Sequence, residues 1–110
     1  MERLRKRPDF LAAARESTCA RGAVVAQARD RGDGSATVRI GFTATRRIGG
    51  AVRRNRAKRR LREAARLLLP IHARAGRDYV FIARDGTAAR PWGRLLDDMK
   101  SALIRLAADL

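Results

Sequence analysis

The sequence predicts a small α/β protein in which helices pack on a mixed sheet, that is, a two-layer α+β sandwich. Residues 36–45 alternate between apolar and polar side chains, as expected of a half-buried strand. Residues 78–84 form a continuous apolar run, which is typical of a central strand covered on both faces. Between these segments, residues 51–69 place apolar side chains at helical spacing. We therefore expect the order helix, two or three strands, helix, strand, helix.

The first half of the chain is predicted to contain one short helix and two strands. Residues 9–16 suit a helix with Asp9 as its N-cap. Residues 21–29 indicate a weak strand, since they are apolar near the start and then alternate. The stretch 30–35 is rich in Asp and Gly, and we expect it to join this strand to strand 36–45 as a hairpin loop.

The second half is predicted to contain two longer helices that flank strand 78–84. The helix over 51–69 is expected to stop at Pro70, which makes His72 an exposed connector residue. Its buried stripe is predicted to be Ala57, Leu61, Ala64, Ala65 and Leu68. A last helix is expected to begin near Pro91. Its apolar stripe is predicted to be Leu95, Leu96, Met99, Ala102, Leu103, Leu106 and Leu110.

The charge balance predicts a polyanionic partner. The 110 residues contain 26 Lys and Arg against 11 Asp and Glu, which gives a formal net charge of +15. Such a surplus repels itself in a compact chain unless a polyanion neutralises it, and the planar guanidinium of arginine suits phosphate oxygens. Since 45% of the residues are hydrophobic, the chain can still form a core. We expect one nucleic-acid-binding domain over residues 1–110, with a basic N-terminal arm at 1–8.

Several other function classes are disfavoured. No apolar run is long enough to span a bilayer and the first residues contain no secretory segment, so we expect a cytoplasmic protein without a membrane partner. One cysteine, Cys19, and one histidine cannot build a zinc finger, and Cys19 is expected to be a small, partly buried residue. The acids are scattered, so no carboxylate pair for a two-metal nuclease is expected. We therefore expect no cofactor, metal site or catalytic residue on the protein itself.

The strongest local signal is a turn followed by an arginine-rich helix over residues 46–69. Its first part, residues 46–66, contains ten basic residues and one acid, Glu63. Like charges at i and i+4 destabilise a free helix, so this density favours a bound anion over a merely solvated face. The candidate RNA-binding residues are Arg46, Arg47, Arg53, Arg54, Asn55, Arg56, Lys58, Arg59, Arg60 and Arg62.

The same stretch carries a resemblance to a known family. Residues 40–70, IGFTATRRIGGAVRRNRAKRRLREAARLLLP, resemble the signature of the bacterial ribonuclease P protein subunit. In that family a strand leads through a GNAV turn into a helix with an Arg-Asn-Arg motif. The matching positions are Arg54, Asn55, Arg56, Lys58, Arg59, Arg60, Leu61, Arg62 and Glu63. A weaker likeness extends over LRKRPDF near the start and AGRDYVFIAR after Pro70.

The resemblance implies a fold and a division of labour. The fold is the small ribosomal-protein-like fold with a left-handed βαβ crossover. The basic helix binds the catalytic RNA subunit, one to one, and a cleft between the first helix and the sheet binds the 5′ leader of precursor tRNA. The RNA then performs the cleavage with Mg²⁺ that it holds itself, and the protein alone is inactive. The implied cleft residues are Phe10, Thr43, Thr45, Arg54, Asn55, Lys58 and Arg62.

Some positions depart from the family pattern, and two other functions stay open. Gly50 replaces an Asn, while Ala14 and Gln27 replace aromatic residues, so base stacking in the cleft depends mainly on Phe10. Phe10 could equally be a core side chain under the first helix. A ribosomal or ribosome-assembly protein would have similar size and charge. A DNA-binding helix is less consistent with the sequence, because no helix-turn-helix context is evident, and we expect no DNA partner.

Overall fold

The computed structural model describes residues 1–109, and in that range a five-stranded sheet is combined with three helices. The strands are β1 (Glu2–Arg3), β2 (Ser17–Arg21), β3 (Val24–Asp30), β4 (Arg39–Thr43) and β5 (Arg77–Ala83). The helices are α1 (Arg7–Glu16), α2 (Ala51–His72) and α3 (Trp92–Asp109), with a 3₁₀ turn at Arg46–Ile48 before α2. None of these helices is long and apolar enough to cross a membrane.

The sheet is mixed, with the strand order β1-β4-β5-β3-β2. β4 lies parallel to both β1 and β5, whereas β3 is antiparallel to β5 and to β2. β5 is the central strand, as its continuous apolar run predicts. Since β4 and β5 are parallel neighbours, α2 connects them as a crossover. The small mixed α/β fold predicted from the sequence is confirmed.

The two faces of the sheet are covered by different helices. On β5, Tyr79 and Phe81 face the main core, to which α2 and α3 contribute. The intervening Val80 faces the opposite way and packs with Ala13 of α1 and with Leu4. The sheet therefore separates α1 from the basic helix α2, which is the feature that positions every candidate site residue.

The predicted strand over 21–29 corresponds to β3, which begins at Val24 rather than at Arg21, but the preceding strand β2 was not predicted. β2 and β3 pair as a hairpin whose turn contains Gly22, at a φ of +50°. A side chain at Gly22 would also collide with Asp98, since a Cβ there would lie 2.3 Å from the carboxylate oxygens. β2 is an edge strand in which only Cys19 is buried, so no apolar alternation marks it in the sequence.

The predicted hairpin between the strand over 21–29 and strand 36–45 is wrong. β5 lies between β3 and β4, so the two do not pair. Residues 30–35 instead belong to the longer connection between β3 and β4, which Arg31 holds in place. The Arg31 guanidinium donates to the carbonyl oxygens of Thr37 and Arg77 and pairs with Asp78 at 2.9 Å.

The predicted end of α2 at Leu69 is wrong, because the helix continues through Pro70 to His72. A proline in the last turn loses one N–H bond, which costs less there than in the middle of the helix. His72 is therefore a half-buried helical residue rather than an exposed connector. In the buried stripe, Leu69 is fully buried and the predicted Leu68 is half-buried.

The start of α1 differs from the prediction as well. Lys6 rather than Asp9 is the N-cap, so Asp9 lies in the first turn. Pro8 precedes it, and the N–H that a proline lacks has no partner in the first turn of a helix, so its absence costs nothing there. The stripe of α3 is confirmed for Leu95, Met99, Ala102, Leu103 and Leu106, which are buried, and for Leu96, which packs against them. Leu110 lies outside the described residues.

Candidate nucleic-acid interface

One flank of α2 is tied to the segment between β5 and α3. The Arg53 Nη2 donates to the carbonyl oxygen of Asp85 at 2.9 Å. The Arg56 Nε donates to the carbonyl oxygen of Ala88 at 3.1 Å. Both arginines are candidate RNA-binding residues in the sequence, but here they hold a loop.

Arg60 has the most complete set of contacts on this flank. Its guanidinium donates to the carbonyl oxygens of Thr87 and Arg90. It also lies over the Trp92 ring, 5.8 Å from the ring centroid. Burial lowers the pKa of Arg60, and the charge of Arg56 lowers it further, although an arginine remains protonated at neutral pH. Arg60 therefore clamps residues 87–92 onto α2.

The remaining basic residues of 46–66 form a cationic surface in which Arg54 and Lys58 are half-buried and the others are exposed. Within residues 1–109, six of them have no carbonyl or carboxylate partner: Arg46, Arg47, Arg54, Lys58, Arg59 and Arg62. Asn55 is exposed beside them, while Arg66 is paired with Glu63. We call these six basic residues the free basic surface. Its guanidinium and ammonium groups are available to phosphate oxygens.

Two of the predicted cleft residues share the α1 face of the sheet. Phe10 lies over Gly41 of β4, where an added Cβ would come within 2.4 Å of the Phe10 ring. Side chains alternate along a strand, so Thr43 faces the same way as position 41. Gln27 of β3 faces this side too, because its neighbours Ala26 and Ala28 face the main core. α1 packs mainly over β2, β3 and β5, and Thr43 on the β4 side of this face is only half-buried.

The other predicted cleft residues lie elsewhere. Arg54, Asn55, Lys58 and Arg62 belong to α2, which packs on the opposite face of the sheet from Phe10. Thr45 is exposed between β4 and the 3₁₀ turn. The structure thus places Phe10 and Thr43 on one face of the sheet and the four α2 residues on the other face.

Sequence reasoning missed an ion-pair network beneath α1. Asp78 is fully buried, and Arg39 binds both of its oxygens, with Nε at 2.8 Å and Nη2 at 2.7 Å. Arg39 also reaches Asp9 of α1, with Nη1 at 3.4 Å from Oδ2. Burial alone would raise the pKa of Asp78, but hydrogen bonds from Arg39 and Arg31 outweigh it and hold this pKa below its ordinary value. The only signal in the sequence is an acid at the start of an apolar strand.

Other carboxylates are occupied as well. Asp98 accepts hydrogen bonds from the Ala23 backbone N–H at 3.0 Å and from Arg90 at 2.9 Å. The Glu63–Arg66 pair holds the pKa of Glu63 below its ordinary value, chiefly through the hydrogen bond that Arg66 donates. In residues 1–109 no group of three or more His, Cys, Asp or Glu side chains is arranged to hold a metal ion.

The comparison with known families decides the identity. The sequence model described as Ribonuclease P matches residues 1–107. The chain belongs to the ribonuclease P protein family. It is 71% identical over 109 residues to the ribonuclease P protein component of Caulobacter vibrioides (strain NA1000 / CB15N). That match covers 99% of this chain and 73% of the relative. Identity to the Ruegeria pomeroyi component is 55% over 107 residues, covering 96% of this chain and 86% of that relative.

Solved structures give the same result. The RNase P protein from Thermotoga maritima is 29% identical, with a TM-score of 0.79, and the match covers 96% of this chain and 97% of that chain. The family resemblance and the fold inferred from the sequence are both confirmed. As a ribonuclease P protein component, the chain has a part in tRNA processing.

The aromatic side chains of this ribonuclease P protein divide between core and surface. Phe81 and Tyr79 are buried, and Phe42 stacks on Phe81 with ring centroids 5.9 Å apart, so these three are packing residues. Trp92 is partly exposed but covers Arg60. Phe10 is half-buried and packs against Leu4, Ala13 and Val80. It is thus both part of a small core and the aromatic residue on the α1 face of the sheet.

Proposed function

We propose that this protein binds the catalytic RNA of ribonuclease P and the 5′ leader of precursor tRNA, and so assists endonucleolytic removal of the leader. The observation that carries the proposal is the free basic surface, where six cationic side chains lie together without a protein partner. In a chain with a net charge of +15, such a surface needs a polyanion.

The shape of the basic surface suits the RNA subunit. α2 has 22 residues, which corresponds to a length of about 33 Å. A helix of this length can follow several successive phosphates along one strand. Its arginines can also bind phosphate oxygens in a bidentate manner. The RNA subunit is therefore the proposed partner of α2, one copy to one copy.

The α1 face suits a single strand. Phe10 offers part of an aromatic ring, and Thr43 on the same face of the sheet is only half-buried. Stacking of one base on an aromatic side chain contributes about 1–3 kcal/mol and does not depend strongly on sequence. Basic residues of the N-terminal arm, Arg3, Arg5 and Lys6, border a groove with Asp9 and Arg39 on this side. We assign this face to the leader.

Several of the protein's carboxylates are already bound by arginine and are poorly suited to hold catalytic metal ions. Asp9, Asp78, Asp98 and Glu63 each form an ion pair with arginine. A carboxylate that already accepts hydrogen bonds from guanidinium groups is a weak ligand for Mg²⁺, and phosphodiester cleavage commonly uses two such ions. We therefore assign the Mg²⁺ ions and the chemistry to the RNA. The protein contributes affinity for the substrate and neutralisation of charge between two RNAs.

Three parallel cleavage reactions test the division of labour. With precursor tRNA as substrate, we expect no cleavage by the protein alone, slow cleavage by the RNA alone in high Mg²⁺, and fast cleavage by both in low Mg²⁺. Cleavage by RNA-free protein, or a failure of the protein to lower the Mg²⁺ requirement, would contradict the proposal.

The leader assignment is tested by Phe10→Ala, with Leu11→Ala as the matched control. Leu11 lies on the same helix but is exposed. Loss of one stacking contact should weaken the binding of precursor tRNA about tenfold and leave mature tRNA unaffected. An equal loss of affinity for both tRNAs would mean that Phe10 is a core residue only and does not contact the leader.

A further inference from the structure

A second concave surface lies on the other side of the sheet from Phe10. It is a groove of about 410 Å³ between the edge strand β1 and helix α2. Ile40 and Phe42 of β4 and Ala65 of α2 form its apolar floor. Its walls come from Glu2 and Arg3 on β1 and from Arg62 and Arg66 on α2, among others.

The floor is apolar because the main core is incompletely covered at this edge. Ile40 pairs with Tyr79 and Phe42 pairs with Phe81 across β4 and β5. The two β5 residues are buried, whereas Ile40 and Phe42 are only half-buried. β1 is two residues long and does not cover them. The ring of Phe42 contacts Phe81 on one side and borders the groove with its remaining surface.

The rim of the groove is mixed in charge, and two of its arginines are unpaired within residues 1–109. Arg66 is paired with Glu63, whereas Arg3 on β1 has no carboxylate or carbonyl partner there. Arg62 is exposed and has no carboxylate or carbonyl partner within residues 1–109. It also belongs to the free basic surface, so the groove continues directly into the region assigned to RNA. A ligand that fits is flat and apolar at one end and anionic at the other.

We propose that this groove binds one unstacked nucleotide of an RNA strand, with the base on Phe42 and Ile40 and the phosphate on Arg62. Bases stack on aromatic side chains and guanidinium groups bind phosphate oxygens. The proposal rests on the RNA-binding role of α2 proposed above. It adds a contact to a base at a place that the sheet separates from Phe10.

The test uses the folded protein with ¹³C-labelled isoleucine methyl groups and uridine 5′-monophosphate as the probe. We expect the Ile40 methyl signal to shift in a saturable way, while that of Ile104, which is exposed on α3, stays in place. Ribose 5-phosphate, which lacks the base, should leave Ile40 unchanged, and uridine, which lacks the phosphate, should bind more weakly. No shift of Ile40 with uridine 5′-monophosphate, or an equal shift with ribose 5-phosphate, would overturn the proposal.

Variants locate the phosphate contact. Arg62→Gln should weaken uridine 5′-monophosphate binding about tenfold, since one charge-assisted hydrogen bond is lost. Arg105→Gln removes the same charge from an exposed position on α3 and should leave binding unchanged. Equal weakening by both variants would mean that the net charge alone attracts the nucleotide. An unshifted Ile48 methyl signal confirms that each variant is folded, because Ile48 is buried in the main core.

The groove and the proposed function fail in distinguishable ways. If the protein lowers the Mg²⁺ requirement of the RNA but Ile40 does not respond to the nucleotide, the groove proposal is wrong and the ribonuclease P role stands. If Ile40 responds as expected but the protein does not stimulate cleavage, the groove binds nucleotides and the role assigned to α2 is wrong.

Discussion

Replacing Arg60 with alanine is expected to destabilise the fold, whereas the same change at the neighbouring Arg59 is not. Arg60 donates to the carbonyl oxygens of Thr87 and Arg90 and lies over the Trp92 ring. A hydrogen bond to a charged group contributes about 1.5–3 kcal/mol, and a partly exposed cation–π contact about 0.5–1 kcal/mol. Arg60 is half-buried and loses side-chain entropy on folding, so we expect a net loss of about 2–3 kcal/mol.

Urea denaturation followed by far-UV circular dichroism measures this loss. Small proteins lose about 1–3 kcal/mol of stability per molar urea, so the midpoint should fall by roughly 1–2 M for Arg60→Ala. The urea midpoint of Arg60→Lys should lie between those of Arg60→Ala and the original protein, because an ammonium group cannot span both carbonyl oxygens in the same way. Arg59 is exposed and has no partner within residues 1–109, so its alanine variant should keep the original midpoint.

RNA affinity supplies the complementary measurement. Arg59→Ala should weaken binding to the RNA subunit while the fold is unchanged, because the lost group is one of the free cations. If Arg60→Ala and Arg59→Ala have the same midpoint and Arg60→Ala weakens RNA binding more, then Arg60 contacts RNA and the clamp on residues 87–92 is not a structural element.

Three further outcomes follow from the same structure. Asp78→Asn should cost about 3–5 kcal/mol at neutral pH, because it removes the buried charge that Arg31 and Arg39 share. The folded-state pKa of Asp78 lies below its ordinary value, so its ionised form stabilises the fold above about pH 4, the unfolded-state pKa, and this stabilisation is lost as the pH falls through the lowered pKa. Urea midpoints between pH 7 and 3 test this, and an unchanged acid profile in the variant would refute it. Gly41→Ala should displace Phe10 and weaken precursor tRNA binding, whereas Gly93→Ala, with nothing within 4 Å of its Cβ, should not; equal affinities would refute it. The logarithm of RNA affinity should fall against that of salt with a slope of about −4 to −5 for six phosphate contacts, rather than the roughly −7 to −9 that ten contacts would give.

The parts of the fold that sequence predicts well are those with a strong apolar period. β5 and α2 bury long, regular stripes, so their type and position follow from the spacing of residues such as Phe81 and Leu61. β1 and β2 are short edge strands with mainly exposed side chains, and no period marks them. The false hairpin between the strand over 21–29 and strand 36–45 has another cause. Sequence order suggests that successive strands pair, and only the three-dimensional fold shows that β5 separates β3 from β4.

The site was only partly predictable for a chemical reason. An arginine can bind a phosphate of RNA or a carbonyl oxygen of its own chain, and the residue type is the same in both cases. Arg56 matches the family motif, yet it donates to Ala88. The choice depends on which flank of α2 meets the segment before α3, and that segment has no periodic pattern. Asp78 was missed because its two arginine partners are 39 and 47 residues away along the chain.

The division of the basic residues explains how α2 tolerates its charge in the folded chain. Arg53, Arg56 and Arg60 repeat at helical spacing on one flank, where like charges should repel. The carbonyl oxygens of residues 85–90 lie against their guanidinium groups and offset that repulsion within the folded chain. The free basic surface has no such oxygens within residues 1–109, so its repulsion is relieved only by anions from outside. Folding therefore uses one part of the arginine content and leaves the other unpaired, and composition alone overestimates the number of cations that the helix offers to an external anion.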